Sequence, residues 1–251
     1  MMLTWCKHKA VEAAVDRGVD IISISWTVKK PKEKEKSSDV EKLGEAIKKA
    51  LDSGILVFCA AGDGGAITDQ EYPWEFDRSR IIRIGAATDD GRAWERSGDP
   101  HKLDFIFPGC DVVSRNPHRE GAVPSDFQEK TGSSVATALA AGLAALILHC
   151  VRVGAILTED VTRKGTAPGA AVQAVQADQF MVDQFTSSKD QVHMRSIFES
   201  IGLDRDQHKF IEVWNRFEEP ADSLKTKAAN SPAGFEVVIT LARNLVAGIK
   251  K

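Results

Sequence analysis

Ile55-Leu56-Val57-Phe58-Cys59-Ala60-Ala61-Gly62-Asp63-Gly64-Gly65 is the stretch that decides the fold. It is an unbroken apolar run of strand length that ends in a glycine-rich turn. A strand open to water on one side alternates apolar and polar residues. A strand without that alternation is buried on both faces, as in a parallel sheet covered by helices. Upstream, residues 40–52 carry Leu43, Ile47, Ala50 and Leu51 at helical spacing, behind a Ser38-Asp39 cap and ahead of Gly54. Before them, Val19 to Trp26 reads as another buried strand. Residues 5–16 read as a helix that Gly18 ends. Downstream, Ile81 to Ala87, Leu103 to Phe107 and Val112-Val113 read as further strands. This alternation predicts an α/β fold with a mainly parallel sheet and flanking helices. In such sheets functional groups gather at the carboxyl ends of the strands, and Gly62-Asp63 lies at one of them.

The next informative stretch is Thr131-Gly132-Ser133-Ser134-Val135-Ala136-Thr137, which runs into an apolar helix from Ala138 to Leu148. A serine hydroxyl there sits among free backbone N–H groups at the positive end of the helix dipole. Two readings are open from the local pattern. Ser134 is a nucleophile whose own N–H helps hold an oxyanion, or it is an ordinary helix cap. The longest apolar stretch, Val135 to Leu148, is about 14 residues long, short for a membrane span, and reads as a buried core helix.

Beyond it, residues 156–190 read as a linker or excursion. Residues 191–251 read as a helical extension with three stripes: Met194, Ile197, Ile201; Phe210, Val213, Trp214, Phe217; and Phe235, Val238, Ile239, Ala242, Leu245, Val246, Ile249. The remaining part, 1–155, reads as one α/β unit. The chain has 251 residues, is 43% hydrophobic and 27% charged, and carries a net charge of -3. That balance gives no electrostatic case for nucleic acid or an anionic membrane as partner. The lysine-rich segment 29–36 reads as a solvated loop. The four cysteines are far apart and show neither a zinc motif nor a disulfide framework, so no metal and no cofactor are expected. The first residues contain no apolar leader. That favours an intracellular location, although it carries little weight if the sequence starts within a domain.

The succession of motifs resembles the subtilisin-like serine peptidases, the subtilases. Gly132-Ser133-Ser134-Val135-Ala136-Thr137, with Ala141-Gly142 after it, is similar to that family's Gly-Thr-Ser-Met-Ala block around the nucleophile. Val57 to Asp63 resembles the strand that ends in the family's oxyanion-hole asparagine. Ile22 to Thr27 resembles the strand that pairs with bound peptide. Tyr72-Pro73, the Ile81 to Ala86 strand and Phe107-Pro108-Gly109 resemble its Tyr-Pro, Val-Gly-Ala and Ala-Pro-Gly elements. The likeness covers about residues 5–150 and is weaker near 190–200. It implies a partial subtilisin-like domain and serine endopeptidase chemistry. Ser134 takes the nucleophile position and Asp63 the oxyanion-hole position. Ser25, Trp26 and Gly62 fall in the substrate-binding part, and a peptide or protein is the substrate. Bound peptide would pair main chain to main chain beside Ser25. Trp26 is read equally as a pocket wall or as a rim aromatic of the core.

The sequence departs from the family pattern in ways that bear on activity. The family's Asp-Thr/Ser-Gly and His-Gly-Thr blocks precede everything matched here and are absent from these 251 residues. None of the six histidines is followed by Gly-Thr. His8 and His101 read as surface residues, His118 as a loop residue, and His149 as a cap where the buried helix ends. The resemblance therefore implies a missing N-terminal half of the catalytic domain, and an isolated chain without activity. Asp63 replaces an asparagine. An ionised carboxylate only accepts hydrogen bonds, whereas a protonated one donates, as an aspartate does in the related, acid-active sedolisin branch. Thr27 stands where the substrate strand has glycine. A non-catalytic peptide-binding pseudopeptidase is the alternative reading.

Overall fold

The computed structural model describes residues 2–29, 38–66, 71–115, 127–164, 190–205, 208–212, 214–227 and 231–247. Residues 30–37, His118, Val213, Ile249 and the 165–189 stretch lie outside the described residues. The chain divides into two compact units. One is Met1–Ala141 with Leu203–Ile211, and the other is Gly142–Gly202 with Glu212–Lys251.

The first unit is built on a six-stranded sheet. Its strands are β1 (Ile21–Ile24), β3 (Leu56–Ala60), β5 (Ile82–Ala87) and β6 (Phe105–Pro108), followed by β10 (His208–Ile211) and β9 (Gly202–Arg205) at the far edge. The pairs β1–β3, β3–β5, β5–β6 and β6–β10 are all parallel. Every residue of β3 and β5 is buried, as strands covered on both faces require, Arg83 of β5 included. The sequence-based strand and its flanking glycine turn therefore fall where expected. Two short antiparallel pairs accompany the sheet: β2 (Val28–Lys29) with β4 (Glu71–Tyr72), and β7 (Val112–Arg115) with β8 (Phe127–Lys130). Strand β8 has no apolar run to announce it, since Phe127-Gln128-Glu129-Lys130 is largely exposed.

Helices α1 (Met2–Asp16) and α2 (Ser38–Asp52) pack against each other and on one face of the sheet. Val11 and α2's Leu43, Ile47, Ala50 and Leu51 share a buried cluster with Ile22, Ile24, Val57 and Cys59. Alternation places Leu56 and Phe58, both fully buried, on the opposite face. His8 lies within α1 one turn before Val11 and is only 3% exposed, so the surface reading of His8 is corrected. Position i and i+3 share a helix face, and the charged neighbours Lys7 and Lys9 point elsewhere. His101 is exposed, in a short 3-10 turn, as read.

Helix α3 (Ser133–Lys164) is longer than the sequence reading allowed. Val151, Gly154 and Thr158 continue its buried stripe past Leu148, so the helix does not stop there. His149 is consequently an exposed mid-helix residue and caps nothing. The apolar part runs 26 residues, Ser133–Thr158, long and apolar enough to cross a membrane by length and composition alone. Half of its most apolar window is buried inside the protein, as in a core helix.

In the second unit, the later turns of α3 are joined by α4 (Gln191–Ile201), α5 (Trp214–Thr226) and α6 (Pro232–Val246). Met194, Ile197 and Ile201 of α4 and Ile239, Ala242, Leu245 and Val246 of α6 are buried, as their stripes predict. The middle stripe fails at its start. Phe210 belongs to β10, where it pairs with Ile106, and the helix begins only at Trp214. Asp190 caps α4 by accepting from the Val192 and His193 N–H groups, and the Ser231 hydroxyl accepts from the Gly234 N–H at α6.

The turn into β5 is fastened by Asp77. Its carboxylate accepts from the Ser79 and Arg80 N–H groups and from the Arg80 guanidinium at 2.7 Å. Arg80 also reaches Asp52 at the end of α2, at 2.7 Å. Burial pushes the Asp77 carboxyl up, but the hydrogen bonds from Arg80 and Ser79 outweigh it and hold the group below its ordinary value. A depressed aspartate stabilises the fold above its unfolded-state value and loses that contribution as pH falls through the folded value. Asp77→Asn should therefore cost about 0.5–1 kcal/mol at neutral pH, because the pair meets solvent. Urea melts of both proteins should converge as pH falls through the lowered folded-state value of Asp77.

Candidate active site

Because β1, β3, β5 and β6 are parallel and in register, their carboxyl ends lie at one end of the sheet. Ser25 follows β1, Gly62-Asp63 follows β3, and Gly109 follows β6. The N-terminus of α3 is brought to the same place. The Gly132 N–H donates to Gly109 O at 2.7 Å, and the Ser133 N–H donates to Asp63 Oδ1 at 3.0 Å. Just before them, Thr131 and Asp111 are clasped. The Asp111 N–H donates to Thr131 Oγ1 at 2.8 Å, and that hydroxyl donates to Asp111 Oδ1 at 2.9 Å.

Ser134 stands exposed in the first turn of α3. Its hydroxyl donates to Ser25 O at 2.8 Å, and the Ser25 hydroxyl donates back to Ser134 O at 3.2 Å. The two residues, 109 apart in sequence, are thus held together by a reciprocal pair. Of the first helical N–H groups, Ser133 bonds Asp63, while Val135 and Ala136 bond Gly132 O. The Ser134 N–H is left without an i−4 partner, as helix geometry dictates.

Asp63 is an acceptor in this arrangement. A carboxylate at the positive end of a helix is favourably placed, and here it caps α3. Its other oxygen, Oδ2, lies only 2.8 Å from where a Cβ on Gly132 would stand. Gly132 adopts φ +146, in the range that favours glycine. No larger residue fits there without displacing the carboxylate. Gly62 is confined in a similar way, since a Cβ on it would strike the Glu71 carboxylate.

Trp26 is half-buried at the rim of the cluster formed with α2, and Lys7 Nζ lies 4.3 Å above its ring. The same ammonium donates to Thr27 O at 3.4 Å. Burial lowers the Lys7 pKa below its ordinary value. Cys110 lies within the field of Asp63. Burial first, then Asp111, Asp63 and Asp89, push its thiol up, so it stays protonated and is a poor nucleophile at neutral pH. Among the described residues no cluster of histidine, cysteine, aspartate and glutamate side chains has metal-holding geometry.

The sequence reading singled out Ser134, Asp63, Ser25, Trp26 and Gly62. The structure brings Ser134, Ser25, Asp63 and Gly62 to one end of the sheet, with Trp26 adjoining Ser25. It adds residues that the sequence reading missed. Ser133 and Ser97 are fully buried, their hydroxyl oxygens 2.6 Å apart, and Ser97 Oγ accepts from the Ala86 N–H at 2.7 Å. This couples the first residue of α3 to β5. A second serine beside Ser134 was the available signal for Ser133, but nothing in the surrounding sequence marks Ser97.

Comparison with known proteins shows the family and the fold. The model of the subtilase family matches residues 4–164. The chain is similar to an intracellular serine protease of Paenibacillus polymyxa, 39% identical over 138 residues, which are 53% of this chain and 37% of that protein. It is similar also to the major intracellular serine protease of Bacillus subtilis (strain 168), 33% identical over 141 residues, 55% of this chain and 39% of that protein. The chain thus spans well under half the length of either relative. Among solved structures, the prenylagaramide maturation protease PagA superposes with a TM-score of 0.53 at 16% identity, over 97% of this chain and 67% of that one. This likeness speaks for the fold.

Gly132→Ala should destabilise the protein by about 1–3 kcal/mol, since the new methyl meets both an unfavourable φ and Asp63. The same change at the exposed helical Gly142, where a Cβ meets nothing within 4 Å, should cost nothing or stabilise slightly. Chemical denaturation of the two variants side by side checks this.

Proposed function

The chain belongs to the subtilase family, and on that premise we propose that it carries the nucleophile-bearing part of a serine endopeptidase whose reactive atom is Ser134 Oγ. The observation that supports this reading is the exposed Ser134 hydroxyl at a helix N-terminus, tied to the end of β1 beside a Gly-Asp turn. In the reaction, Ser134 Oγ attacks a peptide carbonyl. A histidine takes its proton and passes it to the leaving amine, and water then hydrolyses the acyl-enzyme. The Ser134 N–H is one donor to the oxyanion. Substrate main chain lies along the Ser25 end of β1, an edge of the sheet among the described residues, in the manner of an added strand.

Neither the histidine nor its orienting aspartate is recognisable in these 251 residues. The reading therefore assigns both to a further segment, and these residues alone do not hydrolyse peptides. The hydroxyl of Ser134 is engaged by a backbone carbonyl and not by a base. Loss of the triad costs roughly 10⁶ in turnover in subtilisin itself, a member of this family. A second reading, a non-catalytic peptide-binding pseudopeptidase, draws on Asp63, which accepts a hydrogen bond where an oxyanion needs a donor.

A fluorophosphonate probe separates these readings. The purified chain should not be labelled. The same chain preceded by a segment that encodes both the Asp and the His blocks should be labelled, and Ser134→Ala should abolish the signal. Labelling of the isolated chain overturns the inactivity, and silence of the extended, folded protein overturns the nucleophile. In the extended protein, Asp63→Asn should raise peptide turnover at neutral pH, by up to about a hundredfold, by supplying an amide donor. A lower or unchanged kcat removes Asp63 from the oxyanion position.

A further inference from the structure

Glu71 is a buried carboxylate for which neither the fold nor the proposed reaction has a use. The residue is 8% exposed, and its Oε2 accepts no hydrogen bond among the described residues. Its antiparallel register partner across β2–β4 is Lys29, which is exposed, and no ion pair joins the two. The carboxylate turns instead to Gly62. A Cβ built on Gly62 would stand 2.8 Å from Glu71 Cδ and 3.0 Å from its Oε1, and would strike Oε2. Gly62 precedes Asp63, which holds the Ser133 N–H, and Ser134 follows. The Glu71 carboxyl group therefore sits against the residue next to the one that would face the developing oxyanion.

Burying an ionised carboxylate with an orphaned oxygen costs several kcal/mol unless a cation or donors reach it. Such a group is retained where a ligand completes it. A metal ion is a poor candidate, because no metal-holding cluster exists among the described residues. Among the described residues none supplies that partner, and a bound substrate can bring it. It has to be long enough to reach below Gly62 from the main chain and to end in hydrogen-bond donors of positive charge. Arginine and lysine side chains meet both conditions, with the guanidinium able to engage both carboxylate oxygens.

We infer that Glu71 is a specificity-determining residue, which selects a peptide with arginine or lysine at the residue whose carbonyl Ser134 attacks. This rests on the peptidase reading of the site, since it needs a peptide main chain seated between Ser25 and Asp63. Gly62 serves the same end. Its missing side chain leaves the room in which the carboxylate lies against the turn before Asp63.

The test uses the whole 251-residue chain and binding, so that catalysis is not required. Acetylated tri-alanyl peptide amides ending in arginine, norleucine or glutamate compete with a fluorescent arginine peptide, followed by anisotropy. The arginine peptide should bind at least about tenfold more tightly than the norleucine one, and the glutamate peptide most weakly. Glu71→Gln should bring arginine down to the norleucine level and leave norleucine within about twofold. Equal, measurable binding of arginine and norleucine by the unmodified chain overturns the selectivity and leaves the peptide site standing. An arginine preference that survives Glu71→Gln with an unchanged melting curve also overturns it. If no peptide binds, the peptide site falls and the selectivity with it. The preference of the unmodified chain decides the matter even where the variant does not fold.

Discussion

The docking of the first turn of α3 onto the strand ends is the constraint on which the site depends. Two backbone donors fix it: Gly132 to Gly109 O and Ser133 to Asp63. Each lies at the carboxyl end of a different strand, so the helix enters in one place only. The parallel register of β3, β5 and β6 has already put those ends side by side. Ser134 reaches Ser25 because the helix cannot slide. A helix terminus with unsatisfied N–H groups is a liability in a core, and here the strand ends supply the acceptors.

Asp63 has two parts in this arrangement, and they pull against each other. As a carboxylate it caps the helix and favours the dipole. As the neighbour of an oxyanion it has the wrong charge. An amide oxygen at the same position could still accept the Ser133 N–H while its nitrogen donates, so asparagine satisfies both demands at once. The aspartate satisfies the structural demand better and the catalytic one worse. Gly132 completes the trade, since its bare Cα is what lets the carboxylate close on the turn.

Much of this was legible in the sequence for one reason: a parallel strand covered on both faces reads as a near-continuous apolar run, which Arg83 alone interrupts here. Ile55 to Ala61 and Ile81 to Ala87 therefore declared both their secondary structure and their place in the sheet. The motif order then located Ser134, Ser25 and Gly62-Asp63, because each follows a strand. The rest was hidden where local pattern and tertiary context disagree. Phe210 has helical spacing with Trp214 and Phe217, but it is captured by β6 through a backbone ladder that no spacing rule sees. Phe127-Gln128-Glu129-Lys130 pairs with β7 and buries almost nothing, so it has no hydrophobic signature. Ser97 and Glu71 matter through partners far along the chain, and a single sequence carries no sign of such pairs. His8 looked exposed because its neighbours are charged, although a helix separates neighbours onto different faces.

The strand order has a consequence for how the protein is made. Along β1, β3, β5 and β6 each new strand adds to the edge left by the one before, so this sheet can grow as the chain leaves the ribosome. The progression then breaks. The free edge of β6, with Phe105, Ile106 and Phe107 along it, waits for β10, which is synthesised only after all of α3 and α4. During that interval the nascent sheet offers an apolar, unpaired strand to any extended segment nearby. The serine-bearing helix emerges in the same interval. While it stays open, that edge exposes the fold to mispairing with another copy of itself.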